Sequence, residues 1–164
     1  MADHVELYKV NVVVFVLLYR MKNGKCEILL QRRKNTSYMP GMYDFSASGK
    51  INYDEGEIES AERAVIREAK EEIGVDINPI DLQFFHTRHD TAENHIKLFF
   101  ATSKWTVDGE ENGEPKICEP DKCDNLLWSL YDNPPDNLIP FLKKVLIHGL
   151  HHKHYSDDLS PNAR

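Results

Sequence analysis

This chain has little of what would commit it to a membrane, to nucleic acid or to a disulfide scaffold. Its main apolar run, Val10 to Tyr19, is far too short to span a bilayer. That run also lacks the basic start and cleavage site of a secretory signal. Cysteine is scarce. Cys26, Cys118 and Cys123 are odd in number, and none lies at a tight metal-binding spacing from another. They read as free thiols in a reducing compartment, so a cytoplasmic location is expected. Positive charge is in deficit: 20 Lys and Arg face 27 Asp and Glu, a net charge of −7. Such a balance argues against a nucleic-acid partner, whose binding surface is normally basic. A phosphorylated small molecule stays open, because a bound divalent cation inverts the local field. There is no internal repeat and no low-complexity segment. The 164 residues, 41% hydrophobic, suffice for one core. One domain over 1–155 is expected, with 156–164 as a flexible tail.

What is present in excess is carboxylate, concentrated in one place. Arg67-Glu68-Ala69-Lys70-Glu71-Glu72-Ile73-Gly74-Val75 carries three glutamates, with Glu59 eight residues before Arg67. On a helix, residues advance about 100°, so Glu68 and Glu72 share a face and Glu71 points to nearly the same side. Like charges at this spacing repel by a few tenths of a kcal/mol per pair. A cation would remove that cost. Hard oxygen donors without histidine or sulfur suit Mg²⁺, with Mn²⁺ as the alternative. On charge alone, a solvated helix face is the competing reading; the spacing of the whole segment favours the metal.

From Glu59 to Val75 that spacing resembles the signature of the Nudix (MutT-like) hydrolases. Every constrained position is matched, although Ala69 is small for its apolar slot. The signature glycine would fall at Tyr53. Its counterpart here is Gly49, which leaves four extra residues before Glu59, and Gly56-Glu57 forms a second pair out of register.

The resemblance implies an α/β fold, a mixed β-sheet between helices in an α/β/α sandwich. It implies hydrolysis of a phosphoanhydride in a nucleoside diphosphate linked to a second group. Glu68, Glu71 and Glu72 would bind Mg²⁺, Gly49 would add a carbonyl ligand, and Glu119 a further ligand or the base, with Glu114 and Asp121 as alternatives. Arg67 and Glu59 would form an ion pair that orients the ligands. Arg32 and Arg33, in Leu30-Gln31-Arg32-Arg33, would contact substrate phosphates. Asn137, in Pro134-Pro135-Asp136-Asn137, would read a base edge or simply cap a helix. The Gln31–Arg33 and Glu119–Trp128 segments favour a nucleoside triphosphate, cleaved to a monophosphate and pyrophosphate. ADP-ribose and dinucleoside polyphosphates are the alternatives. A silent ligand-binding module of the same fold would typically lose a glutamate of the box. An isoprenoid diphosphate isomerase would need a reactive cysteine in a motif absent around Cys26.

The coarse pattern predicts strands at 5–19 and 26–31 joined by an Asn23-Gly24 hairpin. A polar loop over 32–43 and a short strand over 44–51 follow. A helix is capped by Ser60 and ended by Gly74, with Ala61, Ala64, Val65 and Ala69 toward the core. Strands are predicted at 75–87, 95–105 and 126–131, a loop at 108–124, and a last helix from about 133 to 148. His148, His151, His152 and His154 read as a surface stretch. Tyr38, Tyr43, Phe45 and Phe85 are either core or base-stacking residues. His86, Arg88 and His89 would lie near the cleft as polar strand-end residues. An exposed strand edge on an acidic chain makes a homodimer a candidate assembly.

Overall fold

The structure is a computed structural model, and it describes residues 8–149. β1 (Asn11–Lys22) and β2 (Lys25–Arg33) form the first hairpin. Asn23 and Gly24 turn it with φ of 51° and 73°, the left-handed pair that a tight two-residue loop requires. β3 (Tyr43–Asp44) and β4 (Ala47–Lys50) follow the loop. The extra residues before Glu59 make a small hairpin of their own, β5 (Tyr53–Asp54) and β6 (Glu57–Ile58). Its turn is Glu55-Gly56, with φ of 46° and 87°, so the out-of-register glycine has a purely local use. Tyr53 and Ile58 are exposed, and the hairpin stands clear of the core.

α1 (Ala61–Ile73) then begins on Ser60, whose hydroxyl accepts from the Arg63 N–H. It ends on Gly74 at φ 69°, where N–H groups of Gly74 and Val75 return to the carbonyls of Lys70 and Ala69. Ala64, Val65, Ala69 and Ile73 are buried at helical spacing. Ala69 is fully buried, so the small side chain is what this slot accommodates, and a larger one would overpack it.

β7 (Gln83–Asp90), β8 (His95–Thr102) and β11 (Cys123–Leu130) complete a seven-stranded sheet of order β11-β2-β1-β8-β7, with β3 on β2 and β4 on β1. β1 and β8 run parallel; the other pairs are antiparallel, so the sheet is mixed. Alternate residues of β1 serve opposite faces. Val14, Val16 and Leu18 pack under α1 with Leu29, Val65 and Trp105. Phe15 and Leu17 pack under α2 (Pro140–His148) with Phe45, Phe99 and Leu142. The helix-sheet-helix arrangement expected from the sequence is the one observed.

Four expectations are corrected. Residues 75–82 are not strand: Asn78 caps a short 3-10 turn over Pro79–Asp81, and β7 starts only at Gln83. Pro79 has no N–H to give a ladder. Residues 108–124 are not all loop, because Asp108-Gly109 turns a hairpin between β9 (Thr106–Val107) and β10 (Glu110–Glu111). The last helix starts at Pro140 rather than near 133, and Asn137 does not cap it. Instead 137–139 run alongside Tyr43, which donates to the Asn137 carbonyl and accepts from the Ile139 N–H. The first strand begins at Asn11, and its predicted start at Val5 lies outside the described residues, as do His151, His152, His154 and the tail 156–164. No helix among the described residues is long and apolar enough to cross a membrane.

Candidate active site

α1 presents its carboxylates to β4. Glu68 faces Gly49 so closely that a Cβ there would fall inside the Glu68 carboxylate. The obstructed atoms are the end of a flexible side chain, so an added methyl would swing Glu68 aside at little cost to the fold. Gly49→Ala is therefore expected to lower turnover by about 10–100-fold while the melting temperature stays nearly unchanged, the scale of disturbing a supporting contact. Circular dichroism melts and steady-state rates check both halves.

Arg67 fans over its neighbours. Its Nε and one terminal nitrogen reach Glu59 Oε1 and Oε2 at 2.9 and 3.0 Å. Its other terminal nitrogen reaches Glu68 at 2.6 Å and Glu71 at 3.3 Å, while the terminal nitrogen on Glu59 also donates to the Lys50 carbonyl at 3.1 Å. The hydrogen bond from Arg67 holds Glu59 below the usual carboxylate range. Glu59 thus ties the end of the inserted hairpin to the helix, accepting also from the Asn52 N–H.

Glu72 is held differently. Its Oε2 accepts from the Gln31 side chain at 2.7 Å and from the Ser48 N–H at 3.2 Å. Burial pushes its carboxyl up to about 8; the Gln31 hydrogen bond opposes the rise, and the charges of Glu68 and Asp44 add to it. Burial raises Glu68 as well, with Arg67 opposing and Glu71 and Glu119 adding to the rise. Glu119 comes from the segment before β11, which docks on the end of α1 through the Cys118 N–H and the Glu72 carbonyl. Its side chain pairs with Lys122 at 3.0 Å. Of its alternatives, Glu114 accepts from Trp128 Nε1 at 3.1 Å, and Asp121 is exposed.

Among the described residues no group of three such side chains is arranged to hold a metal ion as it stands, and Arg67 spans Glu68 and Glu71. The donor chemistry nevertheless fits a hard divalent cation: carboxylates that repel one another and resist ionisation together gain most from one.

Arg33 does not stand free at the end of β2. It pairs with the nearly buried Asp44 at 2.8 Å and donates to the Tyr38 carbonyl at 2.8 Å. Arg32 pairs with Asp124 at 2.7 Å at the surface. Asn137 donates to the Gly41 carbonyl at 3.1 Å, bracing the loop after β2. Tyr43, Phe45 and Phe85 are core residues, and Tyr38 lines a cavity of about 600 Å³. Arg33, Asp44, Ser48, Gly49, Lys97 and Phe141 share that cavity, so it adjoins the carboxylates. Gln31, Asp44, Ser48 and Lys97 escaped sequence reasoning. Lys97 is buried, bound to Asp90 and Glu93 at 3.1 and 3.0 Å and set 4.1 Å from the Phe141 ring centre. The usable signals were Asp44 between two aromatic residues and Lys97 within an apolar strand.

The His86 ring is stacked on that of His148 at 5.9 Å. Burial, then His148 and Arg88, depress its pKa. A base depressed in the folded state contributes stability above its unfolded pKa near 6.5, and that contribution is lost as pH falls through the folded value. Denaturant titrations are expected to show such a loss below pH 6.5, under about 1 kcal/mol after screening. His86→Phe should flatten it.

The NUDIX domain model matches residues 9–148. An 8-oxo-dGTP diphosphatase from Proteus vulgaris is 33% identical over 79 residues, which are 48% of this chain and 65% of that protein. The chain thus covers just under two thirds of that relative. A MutT NUDIX hydrolase of Burkholderia pseudomallei shares the fold with a TM-score of 0.65, at 24% identity over 85% of this chain and 97% of its own. The NUDIX domain of Shewanella oneidensis NrtR, crystallised with ADP ribose, superposes with a TM-score of 0.54 at 16% identity, over 79% of each chain. A capped helix with its glutamates set against Gly49, and a family match over most of the length, lead to one conclusion: this chain belongs to the NUDIX family.

Proposed function

We propose that the protein is a divalent-cation-dependent hydrolase of a phosphoanhydride bond in a nucleoside diphosphate linked to a second group. A nucleoside triphosphate, cleaved to a monophosphate and pyrophosphate, is the favoured substrate. The observation that carries this is the placing of Glu68 and Glu72 against Gly49 and Ser48, which also line the 600 Å³ cavity. Glu68, Glu71 and Glu72 would hold Mg²⁺ or Mn²⁺, joined by Glu119 and the Gly49 carbonyl. Once bound, the cation neutralises phosphate charge and makes a bound water acidic. Arg67 keeps Glu68 and Glu71 in place, and Glu59 keeps Arg67 in place. Positioning and electrostatics are most of what a protein contributes to phosphoryl transfer. Arg33 and Lys97 line the cavity as members of ion pairs with Asp44 and with Asp90 and Glu93, and Lys50 beside them adds a cation suited to a polyphosphate. The likeness to an 8-oxo-dGTP diphosphatase supports the triphosphate reading. The ADP ribose held by the Shewanella domain supports ADP-ribose as the second reading, and a dinucleoside polyphosphate is close in chemistry. Residues 1–155 would act as one domain on a soluble nucleotide in the cytoplasm, alone or as a homodimer, without nucleic acid or membrane.

The test is incubation with Mg²⁺ and canonical and oxidised nucleoside triphosphates, ADP-ribose, dinucleoside polyphosphates and nucleotide sugars, with products resolved by chromatography. Monophosphate and pyrophosphate from a triphosphate are expected. Selective cleavage of ADP-ribose would replace the substrate and keep the chemistry. Folded protein that turns over none of them overturns the hydrolase reading.

A further inference from the structure

Gln31 sits on β2, one strand in from the edge of the sheet, opposite Leu126 of β11 and Asp44 of β3. It is 8% exposed, a rare place for an amide without a purpose. Its Nε2 donates to Glu72 Oε2 at 2.7 Å, and the Ser48 N–H reaches the same oxygen at 3.2 Å. Two donors fixed in strands therefore hold one oxygen of the carboxylate. The other, Oε1, accepts no hydrogen bond among the described residues. The neighbouring carboxylates are held by cations: Glu59, Glu68 and Glu71 by Arg67, and Glu119 by Lys122. Glu72 alone of this group has no salt bridge among the described residues and is gripped only by neutral groups. A lysine or arginine at position 31 would orient it equally well but cancel its charge. A glutamine orients it and leaves the charge available.

We propose that Gln31 is a positioning residue that fixes Glu72 with one oxygen presented to the divalent cation. This rests on the metal reading above. Groups that orient a metal-binding side chain typically change affinity by about 10–100-fold when removed. Gln31→Met keeps length and burial but deletes the donor. Gln31→Asn keeps the amide and draws it back from Glu72. The probe is Mn²⁺ alone, titrated against the substrate-free protein and followed by the electron paramagnetic resonance of the free ion. Circular dichroism establishes which variants fold, so that a variant that misfolds leaves the other to decide. At least a tenfold weakening of Mn²⁺ binding is expected in each folded variant. In the Glu72→Gln background, Gln31→Met should weaken binding no further. Wild-type Mn²⁺ affinity in a folded variant, with Glu72→Gln weakened, overturns the positioning role. If Glu72→Gln itself binds Mn²⁺ as tightly as wild type, the metal assignment falls instead, and the role of Gln31 with it.

Discussion

Glu72→Gln is expected to lower Mg²⁺-dependent turnover about a thousandfold, the equivalent of about 4 kcal/mol of lost transition-state stabilisation. The substitution keeps the shape of the side chain and removes its charge. The fold should survive, because burial already makes the ionised form costly and pushes the carboxyl up to about 8. The neutral amide can still accept from Gln31 and Ser48 through its oxygen. Stability in the absence of metal should therefore stay close to wild type. Glu71→Gln, at an exposed position held by Arg67 at 3.3 Å, should show a similar loss if Glu71 also binds the cation. Turnover measured across Mg²⁺ concentrations and urea denaturation of the metal-free protein separate the effects. Retained activity in both variants would refute the metal assignment.

Arg33→Met is the second large effect, and it is one of stability. Asp44 has a side chain only 3% exposed, with Arg33 at 2.8 Å on one oxygen and the Phe45 N–H at 2.8 Å on the other. Burial pushes the Asp44 carboxyl up, while the charge and hydrogen bond of Arg33 draw it down. Removing the arginine strands a buried carboxylate, which typically costs about 3–5 kcal/mol. It also removes the Arg33 Nε hydrogen bond to the Tyr38 carbonyl, which keeps only its bond from the Thr36 hydroxyl. The double variant Arg33→Met/Asp44→Asn should recover most of the loss, because the amide carries no charge to leave uncompensated. Urea denaturation of the two singles and the double measures the coupling. A loss below about 1 kcal/mol in Arg33→Met would show that the pair is not what holds this end of β2. Arg33 also lines the cavity, so turnover should fall at a temperature where the variant is still folded.

These two residues differ in how readily the sequence yields their roles. Glu72 was legible because everything that marks it lies within one helix: its spacing to Glu68 and Glu71, the Ser60 cap and the Gly74 terminator are local. Helix periodicity and end-capping depend on residues three or four apart, and no distant contact can alter that arithmetic. Arg33 was legible only as a cation at a strand end. Its partner Asp44 lies eleven residues on, across a loop whose path the sequence does not announce. The same holds for Asn137, read as a cap or a base contact, whose amide reaches Gly41 across 96 residues. The misread strand at 75–82 and the late start of α2 share one cause. Apolar runs there are interrupted by prolines, and a run of hydrophobic residues says that a segment is buried, not by what backbone. Ile77, Leu138 and Ile139 are indeed buried, but on irregular chain.

What the sequence alone determined is the helix α1, with its ends and its row of carboxylates, and through their spacing the family. Tertiary structure decided which neutral and charged groups meet that row. Gln31 reaches Glu72 across 41 residues, the Ser48 N–H reaches it across 24, and Glu119 arrives from beyond the end of α1. A buried polar group must find a partner, but packing chooses which one, and packing is a property of the closed sheet rather than of any stretch of chain.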